Sequence, residues 1–446
     1  MKRILLIAAS ALLLAVFPFL FIDSKVSAGV LAIAFVCLFF WLFELTPSFV
    51  PTLLLWCLVP TVLSPFDSRF AINEVLHWAA DPVLALFFGG FTLGVASHKH
   101  GLDRSLADLL IRGTRGSLAL LLLASMFLTA FLSMWMSNIA AAALMFACIR
   151  PLTDRLDSSD QARRTLLVGV AFAANLGGIA TPIGTGPNAI AIGWLEGKAP
   201  VTFLSWMTFA VPLTIGMVVL TFMLIRRGVN RKRHEIGARF SVDLEHEAEE
   251  NKSSPYTVVA VLFVAAALWL TEPLHHVPAA VVALGVGASL FLSGLLERDD
   301  ISKIDWATLL LIAGGITLGR LLETSGIVTS AATNVPFASI HPVAVLFILC
   351  LSSALLSALM SNTATAVLLI PIATAVFPEP STALLIAIAS SFGMPFVIST
   401  PPNAMAYGEG GLTSRDLLVP GLVVMIVGCA LVSLTGKAVL NFAGIP

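Results

Sequence analysis

Two serine–asparagine pairs, Ser137-Asn138 and Ser361-Asn362, stand inside long apolar stretches, preceded by Ser133 and Ser357 respectively. Two further polar patches, Gly184-Thr185-Gly186-Pro187-Asn188-Ala189 and Ser399-Thr400-Pro401-Pro402-Asn403-Ala404, interrupt apolar stretches further along each half. Gly and Pro in such places break a helix, and the broken ends expose backbone groups that are tolerated at membrane depth only beside a polar cavity or protein. A helix starting after a break turns unpaired N–H groups and a positive dipole end toward an anion, and the half-helix before it offers carbonyl oxygens to a cation. The serine hydroxyls and asparagine amides add hard oxygen ligands suited to a small cation. No Asp, Glu, Lys or Arg lies within the four motifs. An anion bound there must be held by dipoles, hydroxyls and co-bound cations, which makes cation coupling physically natural. Taken singly, Ser and Asn in apolar helices more often join neighbouring helices. The matched doubling of both motifs favours a binding site.

The elements that must position these residues are membrane helices. Of 446 residues 58% are hydrophobic and 11% charged, with a mean hydropathy of +0.96, whereas soluble domains carry about 25% charged residues. A hydrocarbon core of roughly 30 Å takes about 20 apolar residues per span. The run after Met1, Lys2 and Arg3 has a basic start like a signal peptide, but no convincing small-residue cleavage site follows, so residues 1–27 read as a first transmembrane helix. Within 116–152 the apolar run continues for only some ten residues between Asn138 and Arg150, too short to cross the bilayer. It reads as half of a re-entrant hairpin, and 341–377 has the same shape. Segments 163–195 and 381–410 read as broken helices. Cys37, Cys57, Cys148, Cys350 and Cys429 stand singly in apolar runs and read as free thiols.

Charge placement orients the layout, because Lys and Arg concentrate in cytoplasmic loops. With the N-terminus inside, twenty of the 25 Lys and Arg fall inside, and Lys25, Arg69, Lys198, Arg320 and Lys437 fall outside. This gives about eleven spans and two hairpins, with the C-terminus outside. The mixed-charge stretch 228–255 reads as a cytoplasmic linker rather than a regulatory or lipid-binding arm.

The linker separates two halves, 28–227 and 256–446, that repeat one another. Gly89-Gly90 and Gly94 return as Gly314-Gly315 and Gly319 at an offset of 225, the Ser-Asn pairs at 224, and Asn188 as Asn403 at 215. Each half holds five spans and one hairpin, and an odd number makes the halves inverted, a plan of many secondary transporters. The paired glycines read as packing surfaces. The fold expected is an all-α polytopic membrane protein of two inverted repeats.

These motifs resemble those of the divalent anion/sodium symporter family, the sodium-coupled transporters of dicarboxylates, citrate and sulfate. The second half matches the family pattern fully in Ser361-Asn362-Thr363 and Thr400-Pro401-Pro402-Asn403. The first departs at Ile139, where a threonine is expected, and at Gly186, where a proline is expected. The resemblance implies one sodium site from Ser133, Ser137, Asn138, Gly184 and Asn188, and another from Ser357, Ser361, Asn362, Ser399 and Asn403. Between them the anion would meet Asn138, Asn362, Thr363, Thr185 and Thr400, with Ile139, Gly186, Ser361 and Pro401 lining the same pocket. It further implies a homodimer, an elevator-type transport domain, sodium as the co-transported ion, no organic cofactor and no nucleic-acid partner, in the inner membrane of a cell.

Other classes fit poorly. The histidines fall at span ends or in loops, so an intramembrane hydrolase has no base to activate a nucleophile. No G-x-x-x-x-G-K-[ST] loop is present for a pump. A proton-coupled carrier, an anion exchanger and an anion channel remain the alternatives.

Overall fold

The computed structural model describes residues 2–22, 24–42, 45–101, 117–154, 156–157, 160–199, 201–226, 255–327 and 341–442. All the regular structure among them is helical. The first half contains α1 (Lys2–Phe21), α2 (Lys25–Leu42), α3 (Val50–Leu63), α4 (Ile72–Ala79), α5 (Pro82–Lys99), α6 (Leu118–Ser133), α7 (Asn138–Thr153), α8 (Gln161–Gly177), α9 (Gly186–Leu195) and α10 (Phe203–Ile225). The second contains α11 (Pro255–Leu270), α12 (Glu272–His275), α13 (Ala279–Leu292), α14 (Trp306–Thr324), α15 (Pro342–Ser357), α16 (Asn362–Val376), α17 (Pro380–Ser390), α18 (Pro401–Gly408) and α19 (Ser414–Phe442). The starts of α6, α7 and α9 return in those of α15, α16 and α18 at the offsets of the sequence motifs, and the end of α5 in that of α14. The linker expected at 228–255 lies, but for its last residue, outside the described residues.

Helix starts follow local chemistry. Asp81, Ser117, Asp160, Thr202, Asp305 and Ser361 each accept a first-turn N–H of the helix that follows, and proline occupies the first turn of α5, α9, α15, α17 and α18. Three helices, Phe203–Ile225, Trp306–Thr324 and Ser414–Asn441, are long and apolar enough to cross a bilayer alone among the described residues, and α4 with α5 qualify as a pair bent by 42°. Of the remaining apolar helices α1 spans 20 residues and the others are shorter. Two pairs stand out by their connections: α6 joins α7 through Met134-Trp135-Met136-Ser137, and α15 joins α16 through Ala358-Leu359-Met360-Ser361. Turns this short and apolar fit protein surroundings rather than a solvated loop. The second arm of the first pair runs past Arg150 and Pro151 to Thr153. Arg150 is accommodated by an ion pair with Glu409 at 2.5 Å.

Small residues bring the helices close, as in membrane helix packing generally. A Cβ on Gly89 would strike Ala283 in α13, one on Gly90 would press on Ile183, and one on Gly314 would strike Thr52. Gly177 lies against the backbone of Ala130, joining α8 to α6. The two halves also cross over one another. The helix after the first break, α9, packs on α16 and α17 of the second half, and α18 packs on α7 and α8 of the first.

The loop before α14 is tied to the end of α5 by a charge cluster. Asp300, with a side chain 4% exposed, meets Lys99 Nζ at 2.6 Å and Lys303 Nζ at 2.9 Å, and accepts the Glu297 N–H at 2.8 Å. Burial alone would raise its carboxyl. The Glu297 N–H and the two ammonium groups outweigh burial and hold it well below the usual carboxylate range. A depressed pKa contributes stability that is present above the ordinary carboxylate range and is lost as the pH falls toward the folded value. Asp300→Asn is therefore expected to lower stability by about 3 kcal/mol at neutral pH. In thermal unfolding in detergent, its gap from the parent protein should narrow below about pH 4.

Candidate functional site

The two tips carry the same polar core. Ser133 Oγ, at the end of α6, lies 2.7 Å from Asn138 Oδ1 and 2.6 Å from the carbonyl oxygen of Ala174 in α8. One hydroxyl proton serves these contacts, so three oxygens converge on a single hydrogen. Beside them Gly178 lies close against Asn138 Oδ1 and the Gly184 carbonyl oxygen, 2.6 and 3.0 Å from where a Cβ would sit, so that only glycine fits there. Oxygen-rich and proton-poor, this nest suits a small hard cation. In the second half Ser357 Oγ stands 2.6 Å from Asn362 Oδ1, and Ser399 Oγ donates to the Ala358 carbonyl at 3.0 Å.

Asn188 and Asn403 shape the loops that border these nests. Asn188 Nδ2 donates to the carbonyls of Gly178 at 3.0 Å and Thr181 at 2.8 Å, and Asn403 Nδ2 to those of Met394 at 2.9 Å and Phe396 at 3.0 Å. Both side chains are fully buried. Asn188 Oδ1 is enclosed without a donor, an acceptor that a cation would satisfy. The hydroxyls expected to act as ligands include several helix caps. Ser137 accepts from Ala140 N at 3.2 Å, Ser361 from Ala364 N at 3.1 Å and Thr400 from Asn403 N at 3.4 Å. Their remaining lone pairs and protons are what they can offer a ligand. Thr185 precedes α9 without a side-chain cap bond.

Two residues of the proposed anion pocket, Gly186 and Thr363, meet across the halves. A Cβ on Gly186 would fall on Thr363 Oγ1. Glycine at this position lets the threonine of the second tip lie on the backbone of the first break. Ile139, the repeat mate of Thr363, is 48% exposed, and Pro401, the mate of Gly186, is also exposed. One member of each pair is therefore polar or backbone, and the opposite member is hydrocarbon.

Asn175, which the sequence pattern did not single out, links the halves directly. Buried in α8, it donates from Nδ2 to Thr400 Oγ1 at 3.0 Å and Asn403 Oδ1 at 3.4 Å. Asn403 has both loop carbonyls on its amide nitrogen, so its oxygen faces Asn175, which must present NH2 in return. Thr400 keeps its proton for another acceptor. The first tip is braced by a ring stack in which Trp135 lies 6.3 Å from Phe203 and 6.2 Å from Trp269. Removing a donor between buried acceptors costs about 1–3 kcal/mol. Asn175→Ala is accordingly expected to lower the unfolding temperature and to cut transport about tenfold, read by thermal melts and by uptake into vesicles. Unchanged uptake would separate Asn175 from the site.

A cavity of about 350 Å³ reaches the first tip, lined by Met136, Ser137 and Ala140 on one side and by His98, Lys99 and Lys303 on the other. Its size falls within the roughly 300–1,000 Å³ of small-ligand sites. At the far end of α9 the packing is closed. Trp194 covers Gly319, Ile316 covers Gly193, and the space left between them is about 10 Å³.

Comparison with known proteins shows the family. The citrate transporter family model matches residues 38–390 and, in a second match, 267–444. The chain belongs to the citrate transporter family. An uncharacterized transporter of Haemophilus influenzae is 28% identical over 95% of this chain and 93% of its own length. The sodium-dependent dicarboxylate transporter SdcS of Staphylococcus saprophyticus is 25% identical over 91% of this chain and 84% of its own length. Among solved structures, the YdaH transporter of Alcanivorax borkumensis superposes with a TM-score of 0.57 at 14% identity, over 90% of this chain and all of that one. That likeness concerns the fold. The chain is a multi-pass membrane protein of a transporter family.

Proposed function

We propose that this protein is a secondary active transporter that carries a di- or tricarboxylate, or another divalent anion, across the inner membrane together with sodium. The observation that supports the coupling most is the proton-poor oxygen nest of Ser133 Oγ, Asn138 Oδ1 and the Ala174 carbonyl, with its counterpart at Ser357 and Asn362. Cations bound in the two nests would supply the positive charge that the motifs lack. The anion would lie between them against Asn138, Asn362, Thr185, Thr363 and Thr400, near the positive dipole ends of α9 and α18. A citrate transporter family and a sodium-dependent dicarboxylate relative support the same substrate class.

The halves are proposed to be inverted repeats, with domains as the sequence divides them. The N-terminus would be cytoplasmic and the C-terminus outside, in the inner membrane. The cavity beside the first tip carries Lys99 and Lys303, which the charge bias puts inside, and the closed packing at Trp194 and Gly319 lies beside Lys198 and Arg320, which it puts outside. The conformation would then be inward-facing, and transport would carry both tips as one body past α5 and α14 in an elevator-type motion within a homodimer. The test is uptake of labelled citrate, succinate, malate, sulfate and monocarboxylates by proteoliposomes. A sodium gradient should drive saturable accumulation of a di- or tricarboxylate. Accumulation driven by a proton gradient alone would show proton coupling, exchange without net uptake an exchanger, and non-saturable flux a channel.

A further inference from the structure

Away from both tips, the ends of α8, α10 and α19 enclose a cavity of about 290 Å³. Arg164 lies ten residues before Ala174 in α8, roughly 15 Å along the helix from the first nest. The cavity has two chemically distinct parts. Val168, Leu224 and Val423 form apolar wall, and Arg164, Arg415 and Asp416 supply the charge.

The charges do not cancel. Asp416 accepts Thr413 N and Thr413 Oγ1, both at 2.7 Å, and meets Arg164 Nη1 only at 3.7 Å. Arg164 Nε is enclosed with no acceptor, a donor whose burial costs free energy until it is partnered. Arg415 is exposed and forms no ion pair among the described residues. Arg226 follows Ile225, another residue of the cavity wall, directly in the chain. Two guanidinium groups facing one space present the planar donors that match phosphate oxygens. Beside them, the hydrocarbon wall gives a soluble anion nothing, but it accepts an acyl chain.

We infer that this cavity binds one anionic phospholipid, its phosphate between Arg164 and Arg415 and an acyl chain along Val168, Leu224 and Val423. The site lies at the end of the fold where the sequence gathers Lys and Arg, where anionic lipid is recognised by basic pockets between helices. It is independent of the transport reading, since none of its residues belongs to either nest.

The experiment is native mass spectrometry of the full-length protein in detergent, titrated with dioleoyl phosphatidylglycerol, dioleoyl phosphatidylcholine or inorganic phosphate. One phosphatidylglycerol should bind at least tenfold more tightly than phosphatidylcholine, and inorganic phosphate should not displace it at equal concentration. The double variant Arg164→Gln with Arg415→Gln should reduce phosphatidylglycerol to the phosphatidylcholine level. Val423→Trp keeps both arginines and fills the apolar wall, and it should remove the bound lipid too, which keeps the test decisive if the double variant fails to fold. Undiminished phosphatidylglycerol binding by either folded variant, equal binding of phosphatidylcholine, or displacement by inorganic phosphate would overturn the inference.

Discussion

Asn138→Ala and Asn362→Ala are each expected to abolish sodium-dependent uptake while leaving a folded protein that can be extracted in detergent. Each amide oxygen is the member of its nest that stands between a serine hydroxyl and the proposed anion, at 2.7 Å from Ser133 Oγ and 2.6 Å from Ser357 Oγ. Both asparagines are half-buried at a helix start, so truncation removes ligand atoms without opening the packed core. An interaction with a charged partner is worth about 1.5–3 kcal/mol, and losing a cation contact and an anion contact together multiplies the effect beyond a hundredfold. Asn188 is the comparison. It ties down the loop after α8, so Asn188→Ala should cost stability as well as transport. Near-normal uptake by either tip variant would remove the tips from the site.

The second large effect is expected at Gly186. An alanine there places its methyl on Thr363 Oγ1 in α16, and α9 is held on its other sides by α14 and α17. Overpacking of this kind costs about 1–3 kcal/mol. The displaced threonine also loses its place against the anion, so substrate affinity should fall ten- to a hundredfold. The double variant Gly186→Ala with Thr363→Ala separates the two consequences. It should recover most of the lost melting temperature, because the Oγ1 and Cγ2 collisions are gone and only the Cβ contact at 3.0 Å remains, and still bind substrate weakly, because the hydroxyl is gone. Recovery of affinity in the double variant would show that Thr363 does not face the substrate.

The membrane class and the paired motifs were legible in the sequence because they rest on features of the chain itself, apolar runs and polar residues at fixed offsets. The tips could be read because serine and asparagine stand out against leucine and alanine. What one half does to the other could not be read this way. Asn175 is a lone asparagine whose counterpart at the offset of 215 is Ser390, so repetition gave no hint of its bond to Thr400. The departure at Gly186 looked like a loss of pattern until Thr363 was found lying on it. Arg150 stood out in the sequence as a charge closing an apolar run, but what it pairs with did not. Its partner Glu409 lies 259 residues away. Ser137, Ser361 and Thr400 illustrate a different limit, since a hydroxyl that caps a helix and one that binds a ligand have the same local sequence.

The central claim is that sodium supplies the charge that lets a multiply charged anion enter a pocket whose motifs contain no basic residue. Burying such an anion without compensation costs several kcal/mol. The direct measurement is isothermal titration calorimetry of citrate or succinate, whichever the purified protein transports, in sodium buffer and in buffer with choline in place of sodium at equal ionic strength. The expected result is an affinity at least tenfold weaker in choline, with the sodium affinity rising by the same factor when substrate is present, as linkage requires. Equal affinity in the two buffers would contradict sodium coupling at these nests and favour a proton-coupled carrier or an exchanger.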